Sequence, residues 1–358
     1  MSRFVQLHLL TSYPPANLNR DDLGRPKTAM MGGEPRLRVS SQSLKRAWRT
    51  SEVFADGLKG HIGTRTKEMG VEVFKQLREK GVAKKDAMDW AKAIAGQFGK
   101  LKAANKDKET QELEIEQLAH FSPTERQAID ELVLMLVERK TKPDAEELEL
   151  LRKQHTAADI AAFGRMLTKS STGQSLVEHC VEAAVQVAHA ISVHSVVVED
   201  DFFTAVDDLN NGEDDSGASH LGETEFAAGL FYLYLCIDKD LLVKNLSGDE
   251  ALANKTLAAL IESTATVSPS GKQNSFASRA RASYILCEIG KQQPRSLSVA
   301  YLKPVRGGDM LTSAIKQLET TVENMDNVYG PCADQRCSMD AVAVKGSLQA
   351  IIQCATEA

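Results

Sequence analysis

A long helix-patterned block interrupts a chain that otherwise carries strand patterns, and this interruption constrains the fold more than any other feature. Between residues 51 and 163 the sequence is rich in Ala, Leu, Glu and Lys, and its apolar residues recur with the 3.6-residue period of a helix. The block is therefore predicted to be an all-helical insertion whose mixed charges face solvent. Helices are predicted within it at 71–79, 84–98, 125–139 and 143–163.

Alternating apolar residues on both sides of this block predict a β-sheet. Residues 4–10 form the first strand pattern, which ends at Tyr13-Pro14-Pro15. The second strand pattern covers residues 184–195, and its first half can also be interpreted as a helix. Further strands are predicted at 226–237, 283–289 and 296–302, and helices at 250–266 and 310–325. This order of elements favours an α+β fold with a ferredoxin-like core.

Composition sets the broad class of the protein. A chain of 358 residues exceeds one typical domain, and two or three structural units are expected. The longest apolar run, 132–137, is far shorter than the ~20 residues of a membrane span. The first ten residues lack the cleavage site of a signal peptide, so the chain is expected to be cytoplasmic and its six cysteines reduced. Cys332 and Cys337 lack the two further ligands that a zinc site needs.

Residues 1–50 reverse the charge of the chain. They hold nine Lys or Arg and three acids, which is +6 in a protein whose net charge is −6. Such a reversal indicates a polyanionic partner, although a solvated basic face is the alternative. Gly32 and Gly33 give the backbone conformational freedom here. Serines at 40, 41 and 43 can cap a helix, and the unpaired N–H groups at the start of that helix attract phosphate. Pro26 and Pro35 argue against a helix or a central strand before that cap.

Eight polar side chains of this stretch form a candidate phosphate grip. Arginine binds phosphate bidentately and lysine acts as a point charge, while Asn, Ser and Gln hydrogen-bond phosphate or ribose without reading sequence. Lys45 and Arg49 share one helix face, which leaves Trp48 to pack inward. The phosphate grip comprises Asn19, Arg20, Lys27, Ser40, Gln42, Lys45, Arg46 and Arg49.

Ordered segments over residues 1 to about 235 resemble the backbone subunit of the type I-E CRISPR surveillance complex Cascade, the CasC family. The helical block and the last hundred residues match this family only in outline. The matching segments are 18–22, 32–33, 36–47, 164–166, 188–191, 203–209 and 219–222.

The resemblance implies a function and an assembly. Members of this family coat a guide RNA (crRNA) with several copies of themselves, in a head-to-tail filament beside other Cascade subunits. They present guide bases in short segments for pairing with target DNA in antiviral defence. The family is not known as an enzyme, so no catalytic residue, cofactor or metal is expected.

The resemblance also implies three architectural parts. A palm with a modified RNA-recognition-motif fold is expected from residues 1–50, 164–195 and 226–358. The helical block 51–163 is expected to form the fingers, and residues 196–225 a long thumb loop. The aromatic RNA-stacking signature of ordinary RNA-recognition motifs is absent, so stacking of bases on the sheet is not expected.

Further RNA contacts are expected outside the phosphate grip. The resemblance implies contacts from Arg165 and Met166, and a thumb wedge that unstacks bases at regular intervals. Composition alone would place Met166 in the core, as is usual for methionine. Lys272 lies in a polar loop and is either a further phosphate contact or part of a mobile surface loop. The thumb wedge comprises Phe203, Thr204, His220 and Leu221.

Two rival functions come from other classes. Adjacent carboxylates at Asp21 and Asp22 can hold Mg²⁺, and related backbone subunits of type III complexes use an aspartate in a similar loop to cut RNA. The alternative is that these residues cap a turn or pair with Arg20 or Arg25, and this alternative is favoured. His189, His194 and His220 are similarly expected to pack and to form hydrogen bonds rather than to bind metal. A helical adaptor without a nucleic-acid role is the weakest interpretation.

Overall fold

The computed structural model describes residues 3–153, 156–205 and 220–357, which form two compact units. The first unit comprises residues 1–54, 186–237 and 257–358, and the second comprises 55–185 and 238–256. This division follows the packing of the chain, and the assignment of palm, fingers and thumb stays a prediction. Within the described residues no helix is long and apolar enough to cross a membrane.

Helices and strands of similar number make up the described residues. The strands are β1 (Phe4–Ala16), β2 (Thr28–Met31), β3 (Glu34–Val39), β4 (Thr64–Thr66), β5 (Ala119–Phe121), β6 (Val185–Val187), β7 (Ala190–Ser192), β8 (Glu199–Ala205), β9 (His220–Asp238), β10 (Ala282–Gly290) and β11 (Gln335–Asp340). The α-helices are α1 (Ser41–Arg49), α2 (Glu52–Gly57), α3 (Met69–Glu79), α4 (Lys84–Ala95), α5 (Pro123–Arg139), α6 (Ala158–Phe163), α7 (Lys239–Asn245), α8 (Glu250–Thr266), α9 (Gln273–Phe276), α10 (Met310–Tyr329) and α11 (Leu348–Glu357).

An antiparallel sheet organises the first unit. Its strand order is β11-β10-β1-β9-β7-β3-β2, and β8 pairs with the outer part of β9. The predicted α+β fold is confirmed. β1 lies inside the sheet and is covered on both faces, because Val5, Leu7 and Leu9 are fully buried on one face and Gln6, His8 and Leu10 are buried on the other. The helix predicted at 250–266 is confirmed, and that predicted at 310–325 is confirmed with a longer C-terminal end.

Charged groups are also buried beneath this sheet. His8 and Glu288 are both fully buried, and Nε2 of His8 lies 3.1 Å from Oε2 of Glu288. Nη1 of Arg295 lies 2.6 Å from the same carboxylate, and Nε of Arg336 lies 2.7 Å from its other oxygen. Burial alone would raise the pKa of Glu288, but hydrogen bonds from His8 and Arg295 lower it far below its ordinary value. Burial lowers the pKa of His8.

The second unit packs α3, α4 and α5 around an apolar core. Ser122 caps α5: its Oγ accepts a hydrogen bond from the backbone of Glu125, whose carboxylate in turn accepts from Ser122 N–H. This unit is not all-helical as expected, because β4 and β5 form a two-stranded sheet. The helix predicted at 143–163 is also wrong except for α6. Residues 143–153 form turns and irregular structure, in which the side chains of Asp144 and Glu147 accept hydrogen bonds from each other's backbone N–H.

Two further predictions about the first unit are wrong, namely the strand at 296–302 and the reduced state of all six cysteines. Residues 298–301 form a 3₁₀ helix rather than part of a strand, and its Tyr301 ring is buried. β8 and β9 form a two-stranded ribbon within 196–225, the segment that the resemblance implied to be the thumb, while residues 206–219 lie outside the described structure. Cys337 and Cys354 are joined by a disulfide bond between β11 and α11. The two cysteines are 17 residues apart in sequence, and only the packing of α11 brings them together.

Candidate functional site

The β2–β3 hairpin precedes the phosphate grip along the chain. Its two-residue turn is Gly32-Gly33, with φ angles of 62° and 81° that favour glycine. A Cβ at Gly32 would lie 1.8 Å from the carbonyl oxygen of Leu302, so no side chain fits there. Pro35 lies inside β3 despite the prediction against a central strand. Pro35, which has no backbone N–H, is tolerated there because β3 pairs with β7 only from Arg38 onward.

The buried Arg36 anchors this hairpin to its unit. Its Nη1 donates to the carbonyl oxygen of Ser192 and its Nη2 to that of Tyr301, each across 3.0 Å. Burial lowers the pKa of Arg36 below its ordinary value. Arg36 is therefore a structural cation, whereas its neighbour Arg38 is only half-buried.

The start of α1 is confirmed, with Ser40 as its N-cap. Ser40 Oγ accepts a hydrogen bond from Ser43 N–H across 3.3 Å, and Ser40 N–H donates to Oδ1 of Asn19 across 2.9 Å. Ser41 N–H donates to Nδ1 of His189 across 2.9 Å. The expectation that unpaired N–H groups here await phosphate is therefore wrong for Ser41 and Ser43. Asn19 and Ser40 are partly used in closing the cap, so the predicted phosphate contact would fall mainly to the cationic side chains.

Cations surround the ring of His189. The pKa of His189 lies below its ordinary value because the ring is partly desolvated and because Arg38, Lys27 and Lys45 oppose its protonation. Lys27 lies just before β2, Arg38 lies in β3 and Lys45 lies in α1. The fold therefore places charges from three separate segments near one ring. The hydrogen bonding expected for His189 is confirmed. The ring is exposed, and the three cations that act on it make this a positive part of the surface.

The remaining members of the phosphate grip extend this positive surface. Trp48 is buried as expected, and Leu44 packs on the same face of α1. Gln42 and Arg46 are exposed, and Lys45 and Arg49 are half-buried. Arg20 is exposed and forms an isolated bridge with Pro26 at the base of the basic loop. Lys27 N–H donates to the carbonyl oxygen of Asn19, which holds the two sides of that loop together.

The loop is also tied to the base of the β8–β9 ribbon. Nδ2 of Asn17 donates to the carbonyl oxygen of Glu225 across 2.9 Å, and Nε of Arg25 lies 2.9 Å from the Glu225 carboxylate. Nζ of Lys272 donates to Thr224 Oγ1 across 2.5 Å. A Cβ at Gly271 would lie 2.2 Å from the carbonyl oxygen of Leu18, so this second loop packs directly against the first. The structure thus brings Lys272 to the phosphate grip.

The β8–β9 ribbon presents two adjacent aromatic residues. Phe202 is 67% exposed and Phe203 is 44% exposed. Phe203 lies opposite Gly222, and its ring covers that glycine: a Cβ there would lie 2.3 Å from Cζ of Phe203. Thr204 is exposed. His220 and Leu221 begin β9, and their side chains lie outside the described residues, so their role in the thumb wedge stays a prediction.

Arg165 and Met166 lie in the second unit and differ sharply in exposure. The guanidinium of Arg165 is buried against Glu125, with Nη1 at 2.8 Å from Oε2, and its other nitrogens donate to the carbonyl oxygens of His179 and Arg152. Arg165 therefore has a structural role, and its prediction as an RNA contact is wrong for the side chain in this arrangement. Met166 is 79% exposed and is not the core residue that composition favours.

The aspartates of the basic loop support a turn rather than a metal centre. Oδ1 of Asp21 accepts hydrogen bonds from Leu23 N–H and Arg25 N–H across 3.0 and 2.9 Å. This is the turn-capping role that the sequence favoured. Asp22 is exposed. Among the residues with described positions, no three His, Cys, Asp or Glu side chains cluster as metal ligands would.

Two residues of the site were not predicted to act there from sequence. Arg38 belongs to the cationic cluster around His189, and Phe202 is more exposed than the predicted wedge residue beside it. The alternation Arg36-Leu37-Arg38 carried a usable signal, because the two arginines flank a buried leucine. No pattern along the chain indicated that His189 would meet α1, 148 residues away in sequence.

Comparisons with known proteins agree with this architecture. A family model described as CT1975-like protein matches residues 5–355. A chain of a solved "CRISPR RNA-guided surveillance complex, pre-nicking" is 32% identical, with a TM-score of 0.83 and 99% of each chain covered. A chain of a solved "CRISPR RNA-guided surveillance complex" is 26% identical, with a TM-score of 0.74 and 99% of each chain covered. No curated protein sequence matches the chain.

Proposed function

The chain belongs to the CT1975-like protein family, and from that premise we propose that it is the guide-RNA-binding backbone subunit of a type I-E CRISPR Cascade complex. It polymerises head-to-tail along crRNA in the cytoplasm, beside other subunits. It holds the RNA backbone without reading sequence and presents bases in segments for pairing with target DNA. Sequence recognition is then left to base pairing, as in other RNA-guided systems.

The cationic cluster around His189 is the observation that carries this proposal. Lys27, Arg38 and Lys45 come from separate segments of the chain, yet all three act electrostatically on one exposed ring. Three positive charges that act on one exposed ring make this part of the surface attractive to an anion. Because Ser41 and Ser43 N–H are already bonded within the protein, the surface holds phosphate by side-chain charge. Such contacts suit a partner of arbitrary sequence.

The ribbon completes the proposed scaffold. It is tied at its base to the basic loop through Asn17 and Arg25, and to the separate loop of Lys272 through Thr224. Its exposed Phe202 and the half-exposed Phe203 supply apolar surface that compensates the cost of unstacking a base step, which is a few kcal/mol. We assign the phosphate grip to the RNA backbone and this ribbon to the separation of bases. The scaffold needs no catalytic residue for either task.

Charge reversal within the phosphate grip tests the proposal. The double variant Lys27→Glu/Arg46→Glu is compared with Lys75→Glu/Lys80→Glu, which makes the same charge change at exposed positions of the second unit. Each phosphate contact to single-stranded RNA contributes about −0.7 to the slope of log K against log salt. We expect the first variant to lose affinity and about 1.4 units of that slope, and the control to keep both. Equal RNA affinity and equal salt slope in the two double variants would show that this site is not the RNA-binding surface.

A further inference from the structure

A small cavity opens beside the cationic cluster and is not part of the phosphate grip. It has a volume of about 210 Å³. Its walls come from the end of β2, from β7, from β9 and from the segment that contains the 3₁₀ helix at 298–301, all within the first unit. The lining residues used below are Met31, His189, Tyr232, Ser296, Ser298 and Tyr301.

The cavity has an apolar floor and a polar mouth. Tyr232 and Tyr301 are 4% and 2% exposed, and their ring centroids lie 5.2 Å apart. Both hydroxyl groups are already used, since Tyr232 accepts from Leu297 N–H and Tyr301 donates to the carbonyl oxygen of Ala314. The floor therefore offers ring surface rather than polar groups. His189 and Ser296 are exposed and stand at the opening.

His189 belongs to both the cavity and the cationic cluster. Its Nδ1 accepts the hydrogen bond from Ser41 N–H, so the neutral ring carries its proton on Nε2. A phosphate held by Lys27 and Lys45 would therefore lie next to a donor at the cavity mouth. The occupant that suits this combination is anionic at one end and flat and apolar at the other.

We propose that the cavity receives one nucleobase of an RNA strand whose phosphate is held by the cationic cluster. This inference rests on the proposed function and adds a base-binding site to it. The Tyr232 and Tyr301 rings and the Met31 side chain supply apolar contact, and aromatic surface accepts any base because every base has a π-face. Ser296 and Ser298 hydroxyls donate or accept, so they discriminate little between bases. The site thus holds a base without selecting its identity.

A matched pair of variants tests the cavity. Ser298→Phe places a ring in its wall, whereas Val299→Phe adds the same ring one residue later at a position that is 50% exposed and outside the lining. One stacked base contributes enough that filling the cavity should weaken single-stranded RNA binding by about fivefold or more. The Val299→Phe variant should bind as the unaltered protein does. Ser296→Phe at the exposed mouth is a second filling variant in case Ser298→Phe does not fold.

Photocrosslinking locates the base directly. The full-length chain is assembled on RNA that carries a single 4-thiouridine at successive positions, and crosslinked peptides are identified by mass spectrometry. We expect crosslinks to Met31 or to the 296–301 segment, and their loss in Ser298→Phe but not in Val299→Phe. RNA that binds without crosslinking there overturns the cavity while leaving the proposed function intact. Absence of any RNA binding overturns both, and crosslinks unchanged by both filling variants show that the base lies outside the cavity.

Discussion

Ser41 N–H donates a hydrogen bond to Nδ1 of His189 across 2.9 Å, joining the first residue of α1 to the turn between β6 and β7. The bond satisfies one of the backbone donors that every helix start leaves unpaired. It also orients the imidazole so that its other nitrogen faces away from the helix. A structural hydrogen bond therefore sets the position of a ring that lies in the cationic surface.

Removal of this acceptor should be measurable in stability. His189→Ala leaves Ser41 N–H without its partner, and the expected loss is about 1 kcal/mol in the free energy of unfolding. His189→Gln offers an amide oxygen in a similar place and should recover part of the loss. Urea unfolding of the three proteins measures the effect. Identical midpoints for His189→Ala and the unaltered protein would show that water replaces the ring at no cost.

The buried His8–Glu288 pair should make the stability of the protein depend on acid. The pKa of His8 is lowered by burial, so below about pH 6.5 the unfolded chain binds a proton there that the folded protein does not. The pKa of Glu288 is also lowered, and its contribution is lost as the pH falls below about 4.3. The free energy of unfolding should be flat between about pH 7 and 8 and should fall in these two windows. In His8→Gln the upper window should become shallower, because the lowered pKa of His189 still contributes there, and the lower window should persist; an unchanged upper slope would contradict the assignment.

Asp22→Asn should leave RNA intact and guide binding unchanged. Asp21 is committed to the turn, and among the described residues no group of three or more His, Cys, Asp or Glu side chains could hold a metal ion. Labelled RNA complementary to the guide, incubated with the assembled complex and Mg²⁺, provides the measurement. Cleavage by the unaltered complex that disappears in Asp22→Asn would favour a ribonuclease of the type III kind over the scaffold.

Replacement of residues 201–223 by a short Gly-Ser linker should separate folding from assembly. The substitution spares Glu225 and Thr224, so the contacts to Arg25 and Lys272 at the base of the ribbon remain. The first unit should therefore stay folded, while ordered polymerisation on RNA is lost. In the intact complex, mismatches scanned along the target should be tolerated at regular intervals, because displaced bases never pair. Uniform sensitivity at every position would rule out the wedge.

The bond between Cys337 and Cys354 should stabilise the C-terminal end of the first unit. A crosslink that closes a loop of this length contributes about 3 kcal/mol at most by restricting the unfolded chain. Dithiothreitol and Cys354→Ser should lower the unfolding midpoint by similar amounts, and dithiothreitol should have no further effect on Cys354→Ser. Cys180→Ser, at an exposed free thiol, serves as the control. A midpoint indifferent to dithiothreitol in the unaltered protein would show that these two sulfurs are not bonded.

Local patterns along the sequence predicted the elements whose causes are themselves local. α1 begins where Ser40 supplies a cap, α8 and α10 follow apolar periods, and β10 follows a run of apolar residues. The charge reversal of residues 1–50 and the family segments within it predicted the phosphate grip, which stays a prediction. The prediction of a helix at 143–163 was wrong over its first part because helix-forming composition is only a weak preference, and residues 143–153 pack as turns and irregular structure.

Tertiary structure alone decided which of those residues are available to a ligand. Arg165 and Met166 are adjacent in sequence, yet Glu125 buries the first while the second stays exposed. His189 meets Ser41 only because β7 pairs with β3, and Cys337 meets Cys354 only because α11 packs beside β11. Sequence thus determined the chemistry of the basic stretch and the family of the chain. Burial and long-range pairing, which depend on the whole packed chain, determined which cations are structural and which face solvent.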